Sequence, residues 1–206
     1  MEVKLLTSPH AIKEMENNSA LATLTCHANT NKAFVPSEVL KRIIKNGHES
    51  ILEHITMAFS IHNLSRACLQ ELARHRHISL SVESTRHTLH KYLTMSDDEI
   101  CAFFEEYLET LPIASVEPKQ KKMFCGTYLG ILRGVKDIPN DELKYFLPEL
   151  WPTNLVLTSN ARELRHILKL RTAPQALKEF RILSHSLYET VPEEFRYLFE
   201  DCVCTC

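Results

Sequence analysis

Glycine is scarce in this sequence: four occur among 206 residues, at positions 47, 126, 130 and 134. Loops that bind phosphate through the backbone need several glycines at short, fixed spacings, because the main chain itself approaches the phosphate. These four positions form neither G-x-G-x-x-G nor G-x-x-x-x-G-K. Any phosphate-bearing ligand must therefore be bound by side chains, and arginine suits that task because its planar guanidinium pairs bidentately with phosphate.

Long apolar runs are also missing. No stretch approaches the roughly 18 apolar residues of a membrane-spanning helix, and the start, MEVKLLTSPH, has no basic leader before an apolar segment. The seven cysteines are odd in number and irregularly spaced, which favours reduced thiols over a disulfide framework. We therefore expect a cytoplasmic protein without a membrane segment.

The closing CVCTC run contains Cys202, Cys204 and Cys206. Such a run could bind a soft metal or take part in redox chemistry, but it lacks the spacing of a structural zinc site. A frayed terminus is the simpler interpretation, and we predict no metal site.

An excess of positive charge, which nucleic-acid-binding domains usually carry, is absent because the formal net charge is -2. Positive charge is instead concentrated in two short segments, 66–91 and 162–181. Aromatic residues do not interleave with these cations as they do in many RNA-binding modules. Two compact cationic segments in a nearly neutral chain indicate small anionic ligands.

Helical periodicity dominates the chain, and two extended patterns interrupt it. Residues 55–61 alternate apolar and polar side chains, and residues 155–159 form a short apolar run. Strands and helices do not alternate regularly, and no linker divides the chain. We therefore predict an α+β fold in which residues 1–206 form a single, helix-rich domain.

Capping signals predict where several helices begin. We expect Ser37, Ser65 and Ser96 to cap helices, the last in a capping box with Glu99, and Gly47 to end the first of these helices. Two further boxes are predicted at Asn160 with Glu163 and at Thr172 with Gln175. A helix from about 116 to 134 presents its three glycines on one face, which would allow a neighbouring helix, or less readily another subunit, to approach closely.

The segment ELARHRHISLSVESTRHT, residues 71–88, concentrates cationic and hydroxyl side chains where a helical pattern becomes extended. Arg86 and the preceding serines could converge on one anion. For Ser84 the alternatives are a nucleophile and a phosphate-binding hydroxyl, and the second is simpler because no acid and base accompany it. His75 and His77 are poorly placed as joint metal ligands, and His48 with His54 does not form H-E-x-x-H.

Arg171 raises a separate question because it lies on the same helical stripe as Leu164, Ile167 and Leu168. One interpretation is a guanidinium that bonds helix carbonyls or reaches out to solvent. The other is an arginine that points into a ligand cavity.

These motifs together resemble the flavin-dependent thymidylate synthases. RHRHISLSVES (74–84) matches the family's R-H-R, seven residues, S signature. Four further segments match in order: NGHESILEH (46–54), SRACLQELARHR (65–76), FLP (146–148) and NARELRHILKLR (160–171). The resemblance implies a small, mostly antiparallel sheet, and a homotetramer that binds FAD between its subunits. It also implies synthesis of dTMP from dUMP, with methylenetetrahydrofolate as carbon donor and NADPH as reductant.

The resemblance also assigns roles to residues. The residues expected around FAD are His48, Ser50, Arg74, His75, Arg76, Asn160, Arg162 and His166. Those expected around dUMP are Glu71, Arg74, Glu83, Ser84, Thr85, Arg86, Lys144 and Arg171. Arg171 would be the catalytic residue, because a guanidinium close to the uracil ring favours ionisation at N3 and makes C5 a better nucleophile.

The chain departs from the family pattern at several of these places. Val82 replaces a glutamate that touches both ligands, with Glu83 beside it. His87 replaces a tyrosine, Lys144 an arginine, His166 an asparagine and Cys26 a small hydroxyl residue. Two alternatives therefore stand beside the enzyme: a catalytically impaired nucleotide- or flavin-binding regulator and, less favoured by charge, an RNA-binding module.

Overall fold

Four antiparallel strands form the sheet in the order β1-β2-β4-β3. The computed structural model describes residues 1–29, 33–112, 117–134 and 138–204. Its strands are β1 (Glu2–Leu5), β2 (Thr56–Ser65), β3 (Ile78–Val82) and β4 (Pro152–Asn160). The two strands predicted from the alternating and apolar patterns are thus β2 and β4, the central pair of the sheet.

Helices surround this sheet. They are α1 (Pro9–Cys26), α2 (Pro36–Lys45), α3 (Arg66–Leu72), α4 (Thr85–Thr94), α5 (Asp97–Thr110), α6 (Pro118–Gly134), α7 (Asn140–Leu143), α8 (Ala161–Arg171) and α9 (Lys178–Thr190). Short 3-10 helices lie at Glu49–His54, Lys144–Phe146, Glu193–Leu198 and Glu200–Cys202. The predicted α+β fold is confirmed. Within the described ranges, every helix is too short or too polar to cross a membrane.

The main core lies between the sheet and the helices α1, α3, α8 and α9. Met57, Phe59 and Ile61 of β2 are fully buried, as the alternation predicts for one face of a strand. Leu164 of α8 and Phe180 of α9 are in the same cluster. Burial on this scale fixes α8 against β4, so the first turn of α8 lies directly beside the sheet.

A second apolar cluster joins α4, α5 and α6. Its centre is aromatic: the rings of Phe104 and Tyr128 stack with centroids 4.0 Å apart, and Trp151 meets Phe104 edge-on at 5.2 Å. Trp151 directly precedes β4, so this cluster holds α4 next to the far end of β3.

Four of the predicted helix boundaries are confirmed, and one of them is Asn160, which accepts a hydrogen bond from the N–H of Glu163 at the start of α8. Ser65 accepts a hydrogen bond from the backbone N–H of Cys68 (3.0 Å), and Ser96 forms the predicted capping box with Glu99. Gly47 ends α2 with φ of +73°, a backbone conformation that suits glycine, and its N–H donates to the carbonyl of Ile44 (3.0 Å).

Two predicted caps are wrong. The helix α2 begins at Pro36, one residue before Ser37, because proline fits the first helical position without losing a hydrogen bond. Thr172 does not start a helix but ends α8, since its Oγ1 donates to the carbonyl of Leu168 (2.7 Å). The next helix starts only at Lys178, without a side-chain cap.

The glycine face of α6 is exposed. A Cβ atom added at Gly126, Gly130 or Gly134 would meet no described heavy atom within 4 Å. The expected close approach of a neighbouring helix is therefore not made by the described part of this chain, and the intersubunit alternative stays a prediction.

Candidate active site

The site is built around the turn between α3 and β3. The helix α3 ends at Leu72, whose carbonyl accepts a hydrogen bond from the N–H of His75 (3.1 Å). In this turn the side chain of His75 points inward and is 7% exposed, whereas Arg74 and Arg76 are exposed. The R-H-R triplet thus presents two guanidiniums to solvent around one buried imidazole.

Three clefts adjoin this turn, and His77 contributes to all of them. The largest, with a volume of about 640 Å³, lies between the turn and the C-terminal half of α8. The second, about 430 Å³, lies at the N-terminus of α8 beside the 3-10 helix Glu49–His54. The third, about 350 Å³, lies where β3 begins and β4 ends. Together they provide room for a ligand much longer than one nucleotide.

Arg171 lines the largest cleft and is held there by two other side chains. Its Nε donates to His75 Nε2 (3.2 Å) and its Nη1 donates to Glu71 Oε2 (2.8 Å). The guanidinium carbon lies 4.7 Å from the centre of the Phe180 ring, a cation–π contact. These contacts favour the second interpretation of Arg171, an arginine at a cavity wall, over a side chain that reaches out to solvent.

The contacts of His75 fix its tautomer. A guanidinium can only donate, so Nε2 must be the acceptor, and the ring proton lies on Nδ1, which is 3.0 Å from Glu163 Oε1. Burial lowers the pKa of His75, the nearby Arg171 charge lowers it further, and these effects outweigh the hydrogen bond to Glu163. The imidazole is therefore neutral near pH 7.

The residues expected around FAD mostly come together. Arg74, His75, Arg76 and His166 line the largest cleft, while Asn160, Arg162 and again His166 line the second. Asn160 caps α8 by accepting from the N–H of Glu163 (2.8 Å), and Arg162 donates to Glu53 Oε1 (2.5 Å).

His48 and Ser50 lie beside these clefts without lining them. Both side chains are exposed, at the start of the 3-10 helix whose Glu49 and Glu53 line the second cleft.

The residues expected around dUMP fall into two groups. Glu71, Arg74 and Arg171 line the largest cleft. Glu83, Ser84, Thr85 and Arg86 lie beyond the other end of β3, and five strand residues, about 17 Å of extended chain, separate the two groups.

The second group has its own contacts away from the clefts. Glu83 accepts from Asn154 Nδ2 (2.5 Å), Arg86 Nε lies 3.4 Å from Asp141 Oδ1, and exposed Lys144 lies over the Tyr145 ring. Ser84 precedes α4, but its hydroxyl makes no capping hydrogen bond.

Two residues at the site were missed by sequence reasoning. Glu163 is predicted only as the partner of Asn160 in a capping box, but its carboxylate turns away from the cap and bonds His75 instead. His77 is considered only as a metal ligand, yet its exposed side chain is the one shared by all three clefts. The sequence signal for His77 was its place directly after the R-H-R triplet.

A buried cation supports the second cleft from behind. Arg165 is 1% exposed and donates to Glu49, to Asp201 and to the carbonyl of Leu198. The hydrogen bond from Arg165 lowers the pKa of Asp201. Partial burial raises the pKa of Glu49, but Arg165 and Lys169 together outweigh burial and lower that pKa. This cluster ties α8 to both the 3-10 helix of the second cleft and the C-terminal segment.

The ligand atoms of His75, Glu163 and His166 lie within 4.8 Å of one another, a spacing that could hold a metal ion. The second nitrogen of His75 is already bonded to Arg171, however, and that positive charge disfavours a cation beside it. The arrangement instead suits anions, because the cleft walls carry exposed arginines.

The fold and its clefts define an α+β protein whose arginine-bearing clefts, at the edge of an antiparallel sheet, suit anionic ligands. Comparison with known proteins narrows this class. Residues 4–195 match the sequence family described as thymidylate synthase complementing protein. The chain is 39% identical over 189 residues to a flavin-dependent thymidylate synthase of Campylobacter jejuni, covering 88% of this chain and 90% of the relative.

Two further comparisons agree. A flavin-dependent thymidylate synthase of Wolinella succinogenes is 40% identical over 188 residues, 87% of this chain and 90% of the relative. The crystal structure of Helicobacter pylori thymidylate synthase X with FAD and dUMP matches with a TM-score of 0.83 and 32% identity, over 98% of this chain and 99% of the other. The chain belongs to the flavin-dependent thymidylate synthase family.

Proposed function

We propose that this protein is an FAD-dependent thymidylate synthase, which reductively methylates dUMP to dTMP with methylenetetrahydrofolate as carbon donor and NADPH as reductant. The observation that carries the proposal is the position of Arg171, held at the wall of the largest cleft by His75 and Glu71. A positive group fixed there in advance stabilises a negatively charged pyrimidine without having to reorganise during the reaction.

The donor set of the clefts fits FAD. Arg74, Arg76 and Arg162 supply cations for a diphosphate, and Asn160 and His166 supply polar groups beside them. The two larger clefts share Glu163, His77 and His166, so one long ligand can extend through both. When bound, FAD supplies the hydride chemistry of the reaction.

The chain's own residues bind and orient. Arg171 favours the N3-deprotonated form of uracil and so increases the electron density at C5, the atom that receives the carbon unit. The cleft arginines hold the phosphates and thereby set the distance between the ligands, which is where positioning contributes to the rate.

The distance between the two groups of residues expected around dUMP supports a site shared between subunits. Arg171 and the segment 83–86 lie at opposite ends of β3, too far apart to touch one pyrimidine nucleotide from the same chain. We propose that a partner subunit supplies segment 83–86 to the Arg171 cleft, within a homotetramer. The single domain of residues 1–206 would then contribute to two different dUMP sites. It would supply Arg171 to one site, near the start of β3, and segment 83–86 to the other, beyond the end of β3.

The cysteines agree with a reducing setting, since within the described residues Cys26, Cys68, Cys101, Cys125 and Cys202 are free thiols. We propose that the protein works in the cytoplasm. The metal or redox role considered for the CVCTC run involves Cys206, which lies outside the described residues.

Colour and tritium release test the proposal. The purified protein should be yellow, should bleach with NADPH under anaerobic conditions, and should release tritium from C5-labelled dUMP only when methylenetetrahydrofolate is also present. A yellow protein that bleaches but never releases tritium contradicts thymidylate synthesis and favours the impaired flavin-binding regulator. A colourless protein that still binds dUMP favours a nucleotide binder.

A further inference from the structure

Four side chains form an unbroken series of contacts behind the largest cleft. Glu163 Oε1 lies 3.0 Å from His75 Nδ1, His75 Nε2 lies 3.2 Å from Arg171 Nε, and Arg171 Nη1 lies 2.8 Å from Glu71 Oε2. Arg171 is thus held at its Nε by a histidine and at its Nη1 by a carboxylate. These two partners of Arg171 differ. The Glu71 carboxylate can only accept a hydrogen bond, whereas His75 can present either an acceptor or a donor at Nε2.

The orientation of Arg171 therefore depends on which nitrogen of His75 carries the proton. With the proton on Nδ1, Nε2 accepts from the guanidinium. With the proton on Nε2, two N–H groups would face each other across 3.2 Å, and the contact would become repulsive. The acceptor at Nδ1 decides between these states, and that acceptor is Glu163.

Glu163 is built for this role. Its residue is 8% exposed, its backbone N–H is already capped by Asn160, and its carboxylate is directed at His75. A carboxylate this deeply buried is retained only with a hydrogen-bond partner. Two other rings face His75: Phe180 and His166 lie edge-on to it, with centroids 6.0 and 5.8 Å away. Neither contact is a hydrogen bond to a nitrogen of His75, so neither changes which tautomer is preferred.

We propose that Glu163 is a positioning residue, which holds His75 in the Nδ1–H tautomer and thereby fixes Arg171 at the dUMP side of the cleft. This inference rests on the proposed function for its kinetic consequence, although not for the tautomer itself. Glu163 acts through His75, and it also lines both of the larger clefts, so removing it should weaken dUMP binding and turnover more than it weakens FAD binding.

The first test compares Glu163→Leu with Glu163→Gln. Leucine removes the acceptor, and a misplaced Arg171 should lower kcat and weaken dUMP binding, each by about 10- to 100-fold. Glutamine retains an oxygen acceptor of the same reach and should stay within about threefold of wild type. The FAD dissociation constant, measured by flavin fluorescence, should change less than the dUMP dissociation constant in Glu163→Leu, although Glu163 lines both of the larger clefts. A large loss of FAD affinity with normal dUMP binding would overturn the proposal.

A double-mutant cycle then asks whether Glu163 acts through His75. In a His75→Phe background, Glu163→Leu should change the dUMP dissociation constant by less than about twofold, because the path to Arg171 is already broken. An effect as large as in the wild-type background would show an independent role and refute the proposal. Glu16→Leu is the matched control, since Glu16 is 1% exposed, bonds Tyr197 and lies outside the three clefts. It should lower stability without changing kcat.

Nitrogen-15 NMR of the imidazoles tests the tautomer without reference to activity. In the wild type and in Glu163→Gln, His75 should show a protonated Nδ1 and an unprotonated Nε2 at neutral pH. A wild-type His75 that carries its proton on Nε2, or on both nitrogens, rules the inference out. This measurement needs neither dUMP nor turnover. An inactive wild type would therefore contradict the proposed function but leave the proposed tautomer of His75 untouched.

Discussion

The Nε of Arg171 lies 3.2 Å from the Nε2 of His75, a residue 96 positions earlier in the chain. This contact joins the C-terminal end of α8 to the turn that carries the R-H-R triplet. It explains an arginine on an apolar stripe: the guanidinium is 18% exposed at its side chain, packs over Phe180 and still faces a cleft.

Replacing Arg171 tests its catalytic assignment. Arg171→Ala should reduce kcat by at least about 100-fold, because a preorganised charge at the pyrimidine is lost, while the flavin absorbance of the purified protein stays near that of wild type. Lys169→Ala, two residues earlier on the same helix, removes a cation that contacts Glu49 rather than the largest cleft and should leave kcat unchanged. Turnover near wild type in Arg171→Ala would refute the assignment.

Mixing inactive variants tests the shared site. Arg171→Ala and Ser84→Ala/Arg86→Ala should each be nearly inactive as pure proteins. If one subunit supplies Arg171 and another supplies segment 83–86, random reassembly of equal amounts restores sites with both groups intact, to about a quarter of wild-type activity. Tritium release is the measurement, with unmixed variants carried through the same reassembly. No recovery despite confirmed subunit exchange would place both groups in one chain's site.

The Arg165 cluster predicts how stability depends on pH. Because Arg165 lowers the pKa of Asp201 in the fold, this carboxyl ionises more readily when folded than when unfolded. Its contribution is full above the unfolded pKa of about 3.9 and is lost as pH falls through the lower folded value.

Asp201→Asn should therefore cost about 0.5–1.5 kcal/mol at pH 7, below the range of about 1.5–3 kcal/mol for hydrogen bonds to charged groups, because the Asp201 side chain is 49% exposed and solvent screens the pair. The cost should be smaller below pH 3. Urea unfolding at both pH values measures this. Glu200→Gln, an exposed neighbour in the same 3-10 helix, is the control and should change neither value appreciably. A cost for Asp201→Asn that does not fall at low pH would contradict the pairing with Arg165.

Two glycine substitutions should change the free energy of unfolding in opposite directions. Gly47→Ala should destabilise by about 1 kcal/mol, because its φ of +73° strains any residue with a Cβ although no described atom is within 4 Å of that position. Gly130→Ala lies inside α6 with open space at its Cβ and should stabilise an isolated chain by about 0.5–1 kcal/mol. Thermal unfolding and sedimentation distinguish the outcomes. Loss of the assembled state in Gly130→Ala would place a subunit contact on the α6 glycine face.

Local signals in the sequence predicted much of the fold. The alternation at 55–61 located β2 because one face of a sheet must be buried, and Ser65, Ser96 and Gly47 marked helix ends because each satisfies a local backbone need. The failures also have local causes. The helix α2 begins at Pro36 instead of being capped by the neighbouring Ser37. The Thr172 hydroxyl donates to a carbonyl of α8 and does not cap the next helix.

The sequence by itself determined that any phosphate-bearing ligand must be held by side chains, since its four glycines cannot build a phosphate loop and its cations occur in two short segments. It also carried the ordered motifs that identify the family. Which side chains meet was decided only by the tertiary structure, because contacts across 88 and 96 residues depend on how α8 packs beside the α3–β3 turn. The same packing turned Glu163 from a helix cap toward His75, and the length of β3 placed segment 83–86 away from Arg171.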